Sequence, residues 1–148
     1  PDGNILAMNV VEEINRRLPN IHLVMHGSSS VPQELQDVFN AHGGEMPQTW
    51  GVPLEEIERG IKHGVRKVNI DTDCRLAMLG VIRKVANENK SEFDPRKFLK
   101  PAMQAMSDLC ADRLERFGTA GNASRIKPVS LSAMASRYAV GELDPVIG

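Results

Sequence analysis

The run Ile21-His22-Leu23-Val24-Met25-His26-Gly27-Ser28-Ser29-Ser30-Val31-Pro32 constrains this chain more than any other. A short apolar segment ends in a histidine, then a glycine and three serines, then a proline able to open a helix. That order describes a buried strand over 21–25 whose carboxyl end delivers an imidazole beside an anion-binding turn. A second strand end of the same kind, Val65-Arg66-Lys67-Val68-Asn69-Ile70-Asp71-Thr72-Asp73, follows after a helical crossover. Two polar strand ends joined in this way predict an α/β fold, part of a (β/α) barrel.

The rest of the pattern fits. Ile5, Val10, Ile14 and Leu18 predict a helix over 4–18 that Pro19 stops. Helices are expected from Val31 to about Ala41, with Pro32 in the first turn, and from Pro53 to about His63, closed by Gly64. A second strand over 65–70 precedes a helix over 73–89, capped by Asp71 or Thr72, with Leu76, Leu79, Ile82 and Val85 turned inward. A helix over 95–117 carries Phe98, Met103, Met106, Leu109 and Leu114 as its apolar stripe, and a last one spans about 129–141. These long helices would wrap outside the barrel or meet another subunit.

At 148 residues the chain is long enough for one domain with its own core. A complete eightfold barrel takes about 250 residues. With two convincing barrel strands and an opening Pro1-Asp2-Gly3 that reads as the tail of a loop, residues 1–148 are expected to be the C-terminal portion of a longer barrel domain. A net charge of −1 provides no field to attract nucleic acid or an acidic membrane, and no apolar run approaches a membrane span. Cys74 and Cys110 form no C-x-x-C pair; two free thiols suit a reducing cytoplasm.

His22 and His26 are four apart, a spacing that on a helix could share one metal. On a strand those four residues span roughly 13 Å, too far for one ion. His26, abutting the glycine turn, is the candidate ligand. Zinc in a catalytic site takes about three protein ligands, so the others are expected upstream. Gly27 allows close backbone approach, and Ser28 and Ser29 with free amides before a helix can hold a phosphate. A single N-capping serine would need no such triplet. His42 and His63 lie near helix ends and read as structural.

Asn69 and Asp71 share one strand face. The Asn69 amide can donate to a developing enolate oxygen, Asp71 can accept from substrate hydroxyls, and Thr72 can join a phosphate site. Arg75, one turn on, can contact a phosphate bidentately. The plainer possibility is that Asp71-Thr72-Asp73 only caps a helix.

Together, His26-Gly27-Ser28-Ser29-Ser30, Gly64-Val65 and Asn69-Ile70-Asp71-Thr72-Asp73 closely resemble the C-terminal half of a class II, zinc-dependent fructose-bisphosphate aldolase, along nearly all of the chain. The resemblance implies the C-terminal part of a TIM (β/α)8 barrel with extra C-terminal helices, in the bacterial branch that includes Calvin-cycle type enzymes. It implies His26 as a zinc ligand and Gly27 and Ser29, with Ser28, as the dihydroxyacetone phosphate site. It also implies Asn69 as the catalytic amide at the enediolate, Asp71 and Thr72 as substrate contacts, and Arg75 as a group reaching the other substrate phosphate. The family's Asp-His pair, further zinc histidine and acid/base carboxylate lie earlier in its sequence and are not in this chain, so the piece alone is expected to be inactive.

The implied ligands are phosphorylated ketoses and triose phosphates, with Zn2+ and a monovalent cation, and the implied assembly is a cytoplasmic homodimer or homotetramer. Zinc as Lewis acid requires no Schiff-base lysine; Lys67 is expected to point away from the Asn69 face. An aldolase for tagatose or another ketose bisphosphate, or a non-catalytic phosphosugar-binding barrel, are the alternatives.

Overall fold

A computed structural model of the chain describes residues 7–144; the expected first helical turn at residues 4–6, with Ile5, and the opening residues 1–3 lie outside them. The described chain divides after Gly118 into two compact units. In the first, α1 (Met8–Arg17) leads into β1 (Leu23–Met25), then α2 (Gln33–Ala41), α3 (Leu54–Lys62), β2 (Val65–Val68), α4 (Thr72–Glu88) and α5 (Pro95–Arg116). In the second, a single 3-10 turn (Ala123–Arg125) precedes α6 (Leu131–Ala139), which Ser130 caps by accepting from Ala133 N at 3.2 Å.

β1 and β2 pair in parallel, with Leu23 opposite Val65 and Met25 opposite Val68, across a register irregularity between Leu23 and Val24. Parallel strands need a crossover, here supplied by α2 and α3. Val65, Ile57 of α3 and Met8 of α1 are fully or nearly fully buried and form the seam between strand and helices. Glu12 of α1 holds Arg59 of α3 at 2.6 Å, and Arg116 of α5 reaches Glu58 at 2.6 Å and Glu55 at 2.9 Å on α3. Helix α4 packs on both α2 and α5. Among the described residues no helix is long and apolar enough to cross a membrane.

Three expectations need correction. Helix α2 starts at Gln33, not at Val31, because Val31 takes φ 49° and cannot be helical. The α4 stripe is Asp73, Leu76, Ala77 and Gly80, with Leu79 46% exposed. On α5 the buried positions are Ala102 and Arg113, while Met103 and Leu114 face outward. In both helices a charged residue takes a place that hydrophobicity alone would give to an aliphatic one. Cys74 and Cys110 are free. Burial first, then Cys110, push the Cys74 thiol above its ordinary pKa.

Candidate active site

The two strand ends are clasped beyond the ladder. Asn69 N donates to Met25 O at 3.0 Å, and Ser28 N donates back to Asn69 O at 3.3 Å. This clasp sets His26 and Asn69 side by side, with Asn69 Nδ2 2.9 Å from His26 Nδ1. An amide nitrogen only donates, so Nδ1 presents a lone pair. The amide's orientation is fixed from its other end by Lys67, whose ammonium donates to Asn69 Oδ1. Lys67 therefore does not point away as expected. Residues two apart share a strand face, and 67 and 69 do.

Gly27, at φ 60°, turns the chain immediately after His26, a conformation that costs a side-chain-bearing residue more than glycine. The turn then crosses to the start of α4. Ser29 Oγ accepts from Asp71 N and Thr72 N, both at 3.0 Å. The expected cap by Asp71 or Thr72 is thus supplied from the other strand end; Asp71 itself makes no capping bond. With two N–H groups on its oxygen, the Ser29 hydroxyl proton is left to donate. Gly27, Ser29, Asn69, Asp71 and Thr72 line one cavity of about 550 Å³, at the positive end of the α4 dipole. Ser28 points its side chain the other way: it is 1% exposed, and its Oγ is buried without a partner. Arg75 stands one turn on, exposed, paired to Asp71 at 2.8 Å and outside the cavity lining.

Beneath the turn lies a support that sequence reading passed over. Asp73, fully buried, accepts from Ser30 N at 3.1 Å, Ser30 Oγ at 2.7 Å and Val31 N at 2.8 Å. Left-handed backbone at a β-branched residue costs about 1–3 kcal/mol. Three hydrogen bonds to this charged acceptor, about 1.5–3 kcal/mol each, hold the backbone of 30 and 31 in this shape. Arg113 closes the set, its Nη2 donating to Ser30 Oγ at 2.9 Å and to Asp73 Oδ2 at 3.3 Å. On the opposite side Gln36 holds Thr49 through both amide atoms, and Val52 N donates to Ser29 O at 3.0 Å.

This last contact leaves no room at Gly51, where a Cβ would lie 2.2 Å from Ser29 O and 2.5 Å from Ser30 C. Gly51→Ala is expected to lower stability by about 1–3 kcal/mol through forced displacement of the serine turn. Urea denaturation measures it, and an unchanged midpoint would show that the loop moves aside freely.

Among the described residues no three His, Cys, Asp or Glu side chains gather to hold a metal. The donor set present, one exposed imidazole with a lone pair at the strand end beside the cavity, fits one ligand of a larger set. His22 lies four residues back, at the other end of β1, and no hydrogen bond joins it to the site among the described residues.

The family model described as fructose-bisphosphate aldolase class-II matches residues 1–122. The chain is 68% identical over 145 residues to fructose-bisphosphate aldolase 2 of Cereibacter sphaeroides, covering 98% of this chain and 41% of that protein. It is 68% identical over 145 residues to the fructose-bisphosphate aldolase of Sinorhizobium medicae, covering 98% and 40%. To that of a Nostoc species it is 59% identical over 146 residues, covering 99% and 41%. The chain thus spans about two fifths of the length of these relatives.

Proposed function

The chain belongs to the class-II fructose-bisphosphate aldolase family, and from that premise we propose that it is the C-terminal portion of a (β/α)8 barrel lyase. The complete enzyme would reversibly cleave fructose 1,6-bisphosphate to dihydroxyacetone phosphate and glyceraldehyde 3-phosphate. The observation that carries this reading is the contact between His26 Nδ1 and Asn69 Nδ2 at the mouth of a cavity that also holds Gly27 and Ser29.

His26 would hold zinc through its Nδ1 lone pair, with the other ligands contributed by the remainder of the enzyme. Zinc, when bound, supplies Lewis-acid polarisation of the ketone. The Asn69 amide, released from the imidazole, donates to the oxygen that gains charge as the carbon–carbon bond breaks. Gly27 and the Ser29 hydroxyl receive the phosphate nearest that oxygen, with the α4 dipole and Thr72 behind them. Asp71 would accept from a substrate hydroxyl, and Arg75, paired to Asp71 one turn on, would reach the second phosphate. A cytoplasmic homodimer or homotetramer and an accessory monovalent cation belong to the same proposal.

The test compares cleavage of fructose and tagatose 1,6-bisphosphates by the complete enzyme and measures its metal. About one zinc per subunit with faster cleavage of the fructose epimer is expected. Preference for tagatose would reassign the substrate. Binding of phosphate esters without zinc or cleavage would leave a phosphosugar-binding barrel instead.

A further inference from the structure

The serine turn is held in a strained shape from a distance. Val31, a buried β-branched residue, sits at φ 49°, two residues beyond the hydroxyl that faces the cavity. Its amide, the Ser30 amide and the Ser30 hydroxyl all converge on one carboxylate, that of Asp73, which has no exposure. A lone buried carboxylate is unfavourable. The cation that answers it comes from α5: Arg113, itself 8% exposed, 83 residues away in sequence from Ser30. One guanidinium nitrogen contacts both the Ser30 hydroxyl and Asp73, and its fork also reaches Asp112.

We infer that Arg113 is a positioning residue for phosphate recognition: through Asp73 and Ser30 it fixes the turn that presents Gly27 and Ser29 to the substrate's phosphate. The inference rests on reading the cavity as a phosphate site. The chain of contacts is continuous. Arg113 fixes the Asp73 carboxylate and the Ser30 hydroxyl together. Asp73 fixes the backbone of 30 and 31. That backbone sets where Ser29 Oγ meets the Asp71 and Thr72 amides, and so where its proton points. One guanidinium nitrogen serves Ser30 and Asp73 while the other is held by Asp112, a placement that a lysine ammonium, with its single nitrogen, cannot reproduce in full. The side chains of His26 and Asn69 make their hydrogen bonds to each other and to Lys67, not to Arg113, Asp73 or Ser30. Loosening the chain of contacts therefore weakens phosphate binding more than bond cleavage.

The test uses the complete zinc-loaded enzyme carrying Arg113→Met, Arg113→Lys, or Arg113→Met together with Asp73→Asn. Four quantities are read: zinc per subunit, kcat, KM, and the Kd of inorganic phosphate as a competitive inhibitor or by calorimetry. Arg113→Met is expected to raise KM and the phosphate Kd by about ten- to a hundredfold, with zinc content unchanged and kcat per zinc within a few-fold. Arg113→Lys is expected to restore only part of the loss. The double variant removes the unpaired buried charge, so it keeps the question answerable should Arg113→Met fail to fold, and the phosphate site should remain weak in it.

A fall in kcat and zinc content together, with KM and the phosphate Kd unchanged, would mean Arg113 only stabilises the fold and would overturn the inference. The aldolase reading fails separately: a parent enzyme that binds phosphate but cleaves no ketose bisphosphate would sink it, while weaker phosphate binding in the Arg113 variants would still uphold the positioning role.

Discussion

His26→Ala in the complete enzyme is expected to yield a folded protein that retains little zinc and almost no aldol cleavage. The side chain is exposed at the strand end and its Nδ1 accepts only from Asn69, so its removal disturbs little packing. What disappears is the lone pair that accepts from Asn69 Nδ2, a residue lining the cavity. Losing an outer partner of a metal ligand typically costs about ten- to a hundredfold in affinity or activity; losing a ligand itself should exceed that. His22→Ala is the natural comparison. It lies on the same strand segment, four residues earlier and away from the clasp between Met25, Ser28 and Asn69, and it should keep both zinc and activity. Metal analysis after dialysis, alongside the unfolding midpoint, decides the matter. Full zinc content in the His26 variant would take this imidazole out of the coordination sphere, and equal losses in both variants would point to a damaged strand.

The legible part of this molecule was the part written in local pattern. Both strands, the intervening helices and the long helices after β2 follow from apolar periodicity and from Pro and Gly at their ends, and the structure shifts their limits by only one or two residues at most positions. The convergence of Gly27, Ser29, Asn69, Asp71 and Thr72 was legible as well, since side-chain alternation sends polar groups at two parallel strand ends to one place. The support beneath them was not. Asp73 reads as one more polar residue at a helix start, and Arg113 as one more charge in a charged helix.

A signal for both was nonetheless present. Asp73 falls in step with Leu76, Ala77 and Gly80, and Arg113 in step with Ala102, Met106 and Leu109. A charge lying on a buried stripe must find an opposite one, and two such stripes on helices that pack together predict an ion pair. Val31 resisted prediction for a different reason. Nothing local in Ser-Ser-Val-Pro favours a left-handed valine; only the distant carboxylate makes that backbone affordable. The inward turn of Ser28 is similar, because three consecutive serines cannot all face one cavity, and which of them turns away depends on Asn69 O and Asp73.

The remaining large effect concerns Asn69. Asn69→Ala is expected to lower kcat by about ten- to a thousandfold, the range for one hydrogen-bond donor at a developing oxyanion, with a much smaller change in KM. The amide is held at both ends, by Lys67 on its oxygen and by the imidazole on its nitrogen. The Lys67 contact on its oxygen sets which way the amide faces even when the imidazole is given up, so little of the substrate's binding energy is spent on turning it. Exchange of partners explains the expected split. In the resting site the N–H groups face His26 Nδ1. Were that lone pair to serve a metal, as proposed, the same N–H groups would be free to face the cavity, where a ketone oxygen would be a weak acceptor and the oxyanion formed during cleavage a strong one. The contact strengthens as charge develops, so its loss appears in kcat and in kcat/KM together. Zinc content should not fall, because alanine at 69 removes a competitor for the His26 lone pair and none of the ligand set. A variant that loses zinc in parallel with kcat would recast Asn69 as a support for the imidazole, and one that raises KM alone would place it in ground-state binding.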